Sequence, residues 1–174
     1  MIITELQLKQ IYPFSSQKNR AKYLPFLNKY LPEYGITTPA RLQAYMAQSG
    51  HEDGQLRYCE EIASGAAYEG RKDLGNIHPG DGVKFKGRGR FQLTGRANYQ
   101  AISNAFGVDF IQQPQLLKEP EWAVKSSLWF WKAKGLNAIA DSGDFKQLTR
   151  RINGGLNGLP DRLEIWERCK NYLI

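Results

Sequence analysis

Two carboxylates nine residues apart, Glu52 and Glu61, stand in the stretch QSGHEDGQLRYCEE, residues 48–61. A pair of carboxyl groups is what hydrolysis of a glycosidic bond needs: one protonates the leaving oxygen while the other activates a water. On one continuous helix, nine steps of about 100° would set them on opposite faces, roughly 13 Å apart along the axis, where they could not share a substrate. The chain must therefore turn between them, and Gly54 is the residue that allows it. Glu60 is adjacent to Glu61, and neighbouring residues point in different directions, so at most one of the two faces Glu52. Spacing alone leaves that choice open.

The elements that must position these groups read as helices. Thr38-Pro39 offers a hydroxyl cap and then a proline at the first helical position, which predicts a helix running to about His51 and delivering Glu52 at its end. Leu42, Tyr45, Met46 and Ser49 share one face of it. Upstream, residues 4–11 predict a short helix with Leu6, Leu8 and Ile11 inward, ended by Pro13. Ser15 or Ser16 can cap a second helix through about Tyr30, unless Pro25 forces a start near itself.

Downstream, residues 65–90 are rich in glycine and charge. Asp81-Gly82 before Val83-Lys84-Phe85 predicts a small hairpin. Thr94 is expected to cap a helix from Gly95 to Phe106, with Gly107 as its stop. Pro120 begins a tryptophan-rich helix to about Lys134, whose tryptophans are expected in the core. Asp141 or Asp144 begins another helix, ending at Asn153-Gly154-Gly155, and Pro160-Asp161 starts the last. The fold class is therefore mainly α: a two-lobed helical domain with a small irregular or β-hairpin lobe lining a substrate cleft.

Composition bounds the possibilities. The 174 residues, 41% hydrophobic and 12% aromatic, suit one globular domain over the whole chain, 1–174, without a separate wall-binding domain. The net charge of +7, from 24 basic and 17 acidic residues, suits an anionic partner such as nucleic acid, an anionic membrane surface or a bacterial wall polymer. Basic residues gather at Lys84, Lys86, Arg88 and Arg90, and around Lys146, Arg150 and Arg151. The GRGR string lacks the preceding strand and lysine-bearing helix start of a phosphate loop. No apolar run reaches the roughly 18 residues of a membrane span. The N-terminus shows no basic segment leading into an apolar one, so a cytoplasmic start is expected, with release toward the wall by other means. Cys59 and Cys169 stand far apart with only His51 and His78 beside them, so reduced thiols, no metal and no cofactor are expected.

The strings HEDGQ, a glutamate nine residues after Glu52, GRGRFQLTGRANY and INGG together resemble glycoside hydrolase family 19. That family holds plant-type chitinases and related single-domain phage endolysins, with usual strings close to HE(S/T)xGG, GRGPIQLTGRxNY and INGG. The similarity runs from about Pro39 to the C-terminus, and YGITTPARLQAYMAQSGHE resembles the endolysin branch. The resemblance implies a lysozyme-like fold and an inverting reaction, for which the two carboxyls stand roughly 6.5–9.5 Å apart with water between them. It makes Glu52 the general acid and selects Glu61 over Glu60 as the base. Thr94 would hold the attacking water, and Gln92, Asn98, Asn153 and Arg162 would bind substrate.

Three departures stand out. Arg90 replaces the usual proline of GRGP, and Asp53 and Gln55 replace a small hydroxyl and a glycine. Arg90 is expected to add positive charge near the cleft, and Asp53 either to influence the neighbouring acid or to be solvated. The expected function is that of an endolysin cleaving peptidoglycan strands as a monomer, with an anionic outer-membrane surface as a further contact and no nucleic acid. The alternatives are a chitinase and, in another class, a non-catalytic glycan- or nucleic-acid-binding module.

Overall fold

Caps and prolines set most of the helix starts. In the structure, a computed structural model describing residues 2–174, Thr4 opens α1 (Glu5–Ile11) with a full capping box and Ser16 caps α2 (Gln17–Glu33). Thr38 accepts the Arg41 N–H at the head of α3 (Pro39–Glu52), with Pro39 at its first position. Pro25 does not delay α2, which runs through both Pro25 and Pro32. Leu8 and Ile11 of α1 are buried as expected, whereas Leu6 is 62% exposed.

The remaining helices are α4 (Asp81–Lys84), α5 (Arg96–Phe106), α6 (Pro120–Ala133), α7 (Leu136–Ser142), α8 (Phe145–Asn153) and α9 (Leu159–Tyr172). Single 3₁₀ turns cover Ala66–Tyr68 and Lys72–Leu74, and a longer one covers Pro114–Lys118. Asp144 is the residue that caps α8, while Asp141 lies inside α7, a separate helix bounded by Gly135 and Gly143 that was not expected. No helix among the described residues is long and apolar enough to cross a membrane.

Two cores give two lobes. The larger gathers Leu8, Leu27, Tyr45, Met46, Leu128, Trp131 and Ile165 from α1–α3, α6 and α9, with α3 packed along α9. The smaller gathers Phe85, Leu93, Tyr99, Ile102, Phe110 and Leu117 around α5, and Trp122 and Trp129 of α6 pack against it. Helix α6 thus serves both lobes, with Trp131 on one face and Trp122 and Trp129 on another.

The expected hairpin at Asp81-Gly82 does not form. That segment is α4, entered through Gly80 at φ +87°. Asp81 is buried at its start, accepting the His78 N–H and a bidentate pair from Arg96. Its carboxyl is better placed as a helix-turn acceptor than in a hairpin tip, where it would face water. Among the described residues the only β-pairing is two isolated antiparallel bridges, Glu60 with Arg88 and Arg88 with Leu93. Thr94 does not cap α5 either: Gly95 takes that position, and the Thr94 hydroxyl donates to the Gln92 carbonyl.

The Asp81–Arg96 pair joins α4 to α5, and Arg96 holds the Asp81 carboxyl down to about 2. The folded value lies below the unfolded one of about 3.9, so the stabilisation is present above pH 4 and fades as pH falls toward about 2. Asp81→Asn is expected to lower unfolding free energy by about 2 kcal/mol at pH 7, and by much less near pH 2.5. Urea unfolding of both proteins at the two pH values measures this; an equal deficit at both would show that the charge is not the cause.

Candidate active site

Helix α3 ends at Glu52, and three successive residues then take left-handed backbone: Gly54 at φ +58°, Gln55 at +63° and Leu56 at +66°. Only Gly54 adopts this without cost; each of the others carries of order 1–3 kcal/mol of strain. The neighbourhood holds them there. The Gln55 N–H donates to the Gly50 carbonyl at 2.7 Å, its side-chain oxygen accepts the Phe14 N–H, and the Leu56 N–H donates to Asp53 Oδ1 at 2.9 Å. The reversal expected at Gly54 is therefore three residues long.

Beyond it the chain runs extended past Glu60 and Glu61, paired with residues 87–89 through Glu61 N–H to Gly87 and Gly89 N–H to Cys59. In extended chain, consecutive side chains point to opposite sides. Glu60 points into a basic cluster: Arg88 Nε at 2.7 Å, and Lys86 and Lys118 Nζ at 3.7 Å. Burial raises its carboxyl, but these three cations together bring it below its ordinary value. Glu61 points the other way. Its Oε1 accepts the Tyr68 hydroxyl at 2.9 Å and its Oε2 the Gly87 N–H at 3.1 Å.

Gly87 marks where the site residues converge. A Cβ there would stand 2.9 Å from Gln92 Oε1, 3.3 Å from Glu61 Oε2 and 3.3 Å from Thr94 Oγ1. Gln92 sits at φ +50°, with its amide donating to the Gly89 carbonyl, another strained residue at the cleft. Gln92, Thr94 and Asn98 then line one wall of a groove of about 540 Å³. Phe91, Trp129, Phe130, Lys134 and Arg151 complete much of its surface. Trp129 is half-buried in that groove, not sealed in the core as expected, whereas Trp131 two positions on is fully buried.

Glu52 is held from the opposite lobe. Arg162 of α9 is 1% exposed, and its Nη2 lies 2.5 Å from Glu52 Oε1. Its Nη1 donates to Gln48 Oε1 at 2.6 Å, and the Gln48 amide donates to Thr149 of α8 at 2.9 Å. Arg162, expected to bind substrate, stands against Glu52 and not open to the cleft. It is buried and positions the Glu52 carboxylate, within a chain of contacts joining α3, α8 and α9. Asn153 is exposed at the last turn of α8, one turn past Thr149. Sequence reasoning missed Tyr68, Gln48 and Gly87. The i, i+4 spacing of Gln48 and Glu52 on one helix face was the available sign for Gln48.

The departures at residues 53 and 90 explain each other. Arg90 is 0% exposed and Asp53 1%, joined by Arg90 Nε to Asp53 Oδ2 at 2.6 Å. The Arg90 guanidinium also donates to the Tyr45 hydroxyl at 3.3 Å and the Tyr12 hydroxyl at 3.2 Å. Arg90 thus adds no charge to the cleft, and Asp53 is not solvated; both earlier expectations are corrected by burial. Burial pushes the Asp53 carboxyl up against the pull of Arg90, while the pair keeps Arg90 charged.

The family profile described as "Chitinase class I", for glycosyl hydrolase family 19, matches residues 37–141. The chain belongs to glycoside hydrolase family 19. A family 19 domain-containing protein of Haemophilus influenzae is 28% identical, the match covering 99% of this chain and 94% of that protein. An Arabidopsis thaliana endochitinase is 31% identical over 88% of this chain, and the match spans 53% of that enzyme. The chain thus spans about half the length of the plant endochitinases it matches. Chitinase C from Streptomyces griseus superposes with a TM-score of 0.79 at 25% identity, covering 98% of this chain and 76% of that one. A bacterial family 19 chitinase superposes with a TM-score of 0.81 at 24% identity, covering 99% and 95%. The protein is accordingly a glycoside hydrolase with the lysozyme-like family 19 fold.

Within this family 19 fold, breaking the buried pair on one side leaves an unanswered charge. Arg90→Met is expected to lower unfolding free energy by about 3–5 kcal/mol. The double variant Asp53→Ser/Arg90→Met, which removes both charges, is expected to regain at least about half of that loss. Denaturant midpoints of the three proteins test this; a double variant no more stable than the single would show that the pair is not the coupled unit.

Proposed function

We propose that the protein hydrolyses the β-1,4 glycosidic bonds of peptidoglycan by an inverting, two-carboxylate mechanism, as a lytic enzyme that acts once it reaches the cell wall. The observation that carries this reading is the make-up of the groove. Its wall combines side-chain amides and a hydroxyl, Gln92, Asn98 and Thr94, with the aromatic faces of Trp129 and Phe130, and its lining contains two cations, Lys134 and Arg151, and no carboxylate. Amides and aromatic rings suit a sugar polymer; cations in the lining suit one that carries negative charge.

In this mechanism Glu52, held by Arg162, protonates the leaving oxygen. Glu61, oriented by Tyr68 and the Gly87 N–H, takes the proton of an attacking water. The water is held between Glu61 and the Thr94 hydroxyl, both beside Gly87. The proton count closes over one turnover: Glu52 gives up a proton, Glu61 gains one, and exchange with solvent resets both. Glu60 takes no part, because its carboxylate is committed to Arg88. A chitinase reading is favoured by one observation, the endochitinases and chitinases among the relatives and solved structures.

The test uses outer-membrane-permeabilised Gram-negative cells, purified wall and soluble chitin oligomers. The wild type is expected to clear the cells. Glu52→Gln and Glu61→Gln are each expected to lose at least about 100-fold in rate, while Glu60→Gln stays within about fivefold. Clearing that survives Glu52→Gln would sink the mechanism. Hydrolysis of chitin oligomers with purified wall left intact would favour the chitinase reading.

A further inference from the structure

Most of the guanidinium groups are already committed. Of the eleven arginines in the sequence, eight hold a carboxylate in an ion pair among the described residues: Arg20, Arg41, Arg71, Arg88, Arg90, Arg96, Arg162 and Arg168. Arg57 lies over the rings of Phe14 and Tyr58. The two left, Arg150 and Arg151, are consecutive and exposed on α8. They are not a scattered remainder. With Lys134, Gly135, Ile139 and Gln147 they line a second pocket of about 530 Å³.

This pocket adjoins the groove, because Lys134 and Arg151 line both. Arg151 Nε reaches the Lys134 carbonyl at 3.4 Å, which places the two side by side, and the Lys134 ammonium lies over the Phe130 ring in the groove wall. Three cations held together repel one another, at about 1 kcal/mol per pair even a few ångströms apart in water. Nothing in the pocket lining answers them, since it contains no carboxylate.

We propose that this side pocket is a subsite for the carboxylates of the peptide stem that peptidoglycan carries on its muramyl lactyl ether. The inference rests on the wall-hydrolase reading above and names the part of the substrate that the cations recognise. The stem branches directly from a sugar ring, so a strand seated in the groove must lead its stem into a pocket opening off that groove. The stem brings free carboxylates, which a guanidinium pairs in a bidentate fork. It also brings amide groups, within the chemistry of Gln147, and alanine methyls, which suit Ile139. Chitin branches nowhere and carries no charge, so it would leave the pocket empty. The pocket is thus where this enzyme separates wall strands from chitin.

The first test measures binding to the full chain carrying Glu52→Gln, which leaves the ligand uncut. The probes are a soluble peptidoglycan tetrasaccharide bearing its stems and the same tetrasaccharide stripped of them by an amidase, which releases the peptides and leaves only a lactyl carboxylate on each muramyl ring. Calorimetry at one low salt concentration is expected to show about tenfold tighter binding of the stem-bearing form, the scale of a charge-assisted hydrogen bond. Adding Arg150→Glu, a residue that lines the side pocket and not the groove, is expected to erase the preference, and Arg150→Lys, which keeps the charge but loses the fork, to keep only part of it. Lys146→Glu makes the same change in net charge on α8 outside the pocket lining, and is expected to keep the preference. Equal affinity for the two probes, or a preference that survives Arg150→Glu, overturns the subsite. So does its loss in Lys146→Glu to the same degree, which would leave only general charge attraction.

A kinetic arm separates this inference from the reading beneath it. Wild type is expected to cut intact strands about tenfold faster than stripped ones, and Arg150→Glu to cut both at the stripped-strand rate. Intact and stripped strands cut at equal rates by wild type overturn the subsite alone. Both left uncut while chitin is cut overturn the wall-hydrolase reading and the subsite with it.

Discussion

A guanidinium sealed from solvent must be answered where it lies, and the Arg90–Asp53 pair is the interaction on which the geometry of the cleft depends. Asp53 follows Glu52 by one residue, and Arg90 precedes Gln92 and Thr94 by two and four. The 2.6 Å contact between them therefore ties the end of α3 to the loop that forms the groove wall. Asp53 also accepts the Leu56 N–H with its other oxygen, so the same carboxylate holds the strained reversal after α3. Desolvating two ions costs several kcal/mol each, and a well-packed apolar pair could match its net contribution. What the ionic version adds is directionality. Arg90 is satisfied only when Asp53, Tyr12 and Tyr45 stand around it together, which is one arrangement of three elements.

The two catalytic candidates are then fixed by different physics. Glu52 is set by charge: a buried arginine from α9 grips it, and Gln48 and Thr149 hold that arginine in turn. Glu61 is set by backbone. Its N–H bonds to the Gly87 carbonyl, its Oε2 accepts the Gly87 N–H, and the twofold alternation of extended chain sends Glu60 the other way. Gly87 permits this close approach, because a side chain there would fall into the space shared by Glu61, Gln92 and Thr94. A rigid side-chain network on one lobe thus faces a backbone clamp on the other, and the bridge at residue 53 links them.

Much of the scaffold was legible because it rests on local chemistry. Thr38-Pro39, Ser16 and Pro120 announced helix starts that need only their own neighbours, and Gly54 announced a turn by what it lacks. What stayed hidden depends on partners distant in sequence. Asp81-Gly82 has the composition of a hairpin tip, but Arg96, fifteen residues on, holds Asp81 as the start of α4. The left-handed Gln55, Leu56 and Gln92 break a rule that sequence reading relies on, and they do so at the site, where tertiary contacts override local preference. Arg162 was legible as an arginine near the acid but not as a buried one, since burial is a property of α3 and α9 packed together. Glu60 and Glu61 could be separated only by the resemblance, because the alternation that distinguishes them needs the pairing with residues 87–89.

Charge gives the same lesson in another form. The excess of seven positive charges is a property of composition, and from it alone the basic string at residues 84–90 and the cluster around Lys146, Arg150 and Arg151 were equally places to look for an anionic partner. The structure spends that string internally: Arg88 on Glu60, Arg90 on Asp53, and Lys86 on Glu60 and the Glu61 carbonyl. These cations build the cleft and present little to a ligand. The two arginines left without a carboxylate or an aromatic partner, Arg150 and Arg151, lie on α8 beside Lys134 at the end of α6, a separate part of the chain. Net charge measures how many cations exceed the anions, whereas recognition depends on which cations are left without a partner and where they gather. In this protein Arg150, Arg151 and Lys134 are such a gathering, set beside the groove.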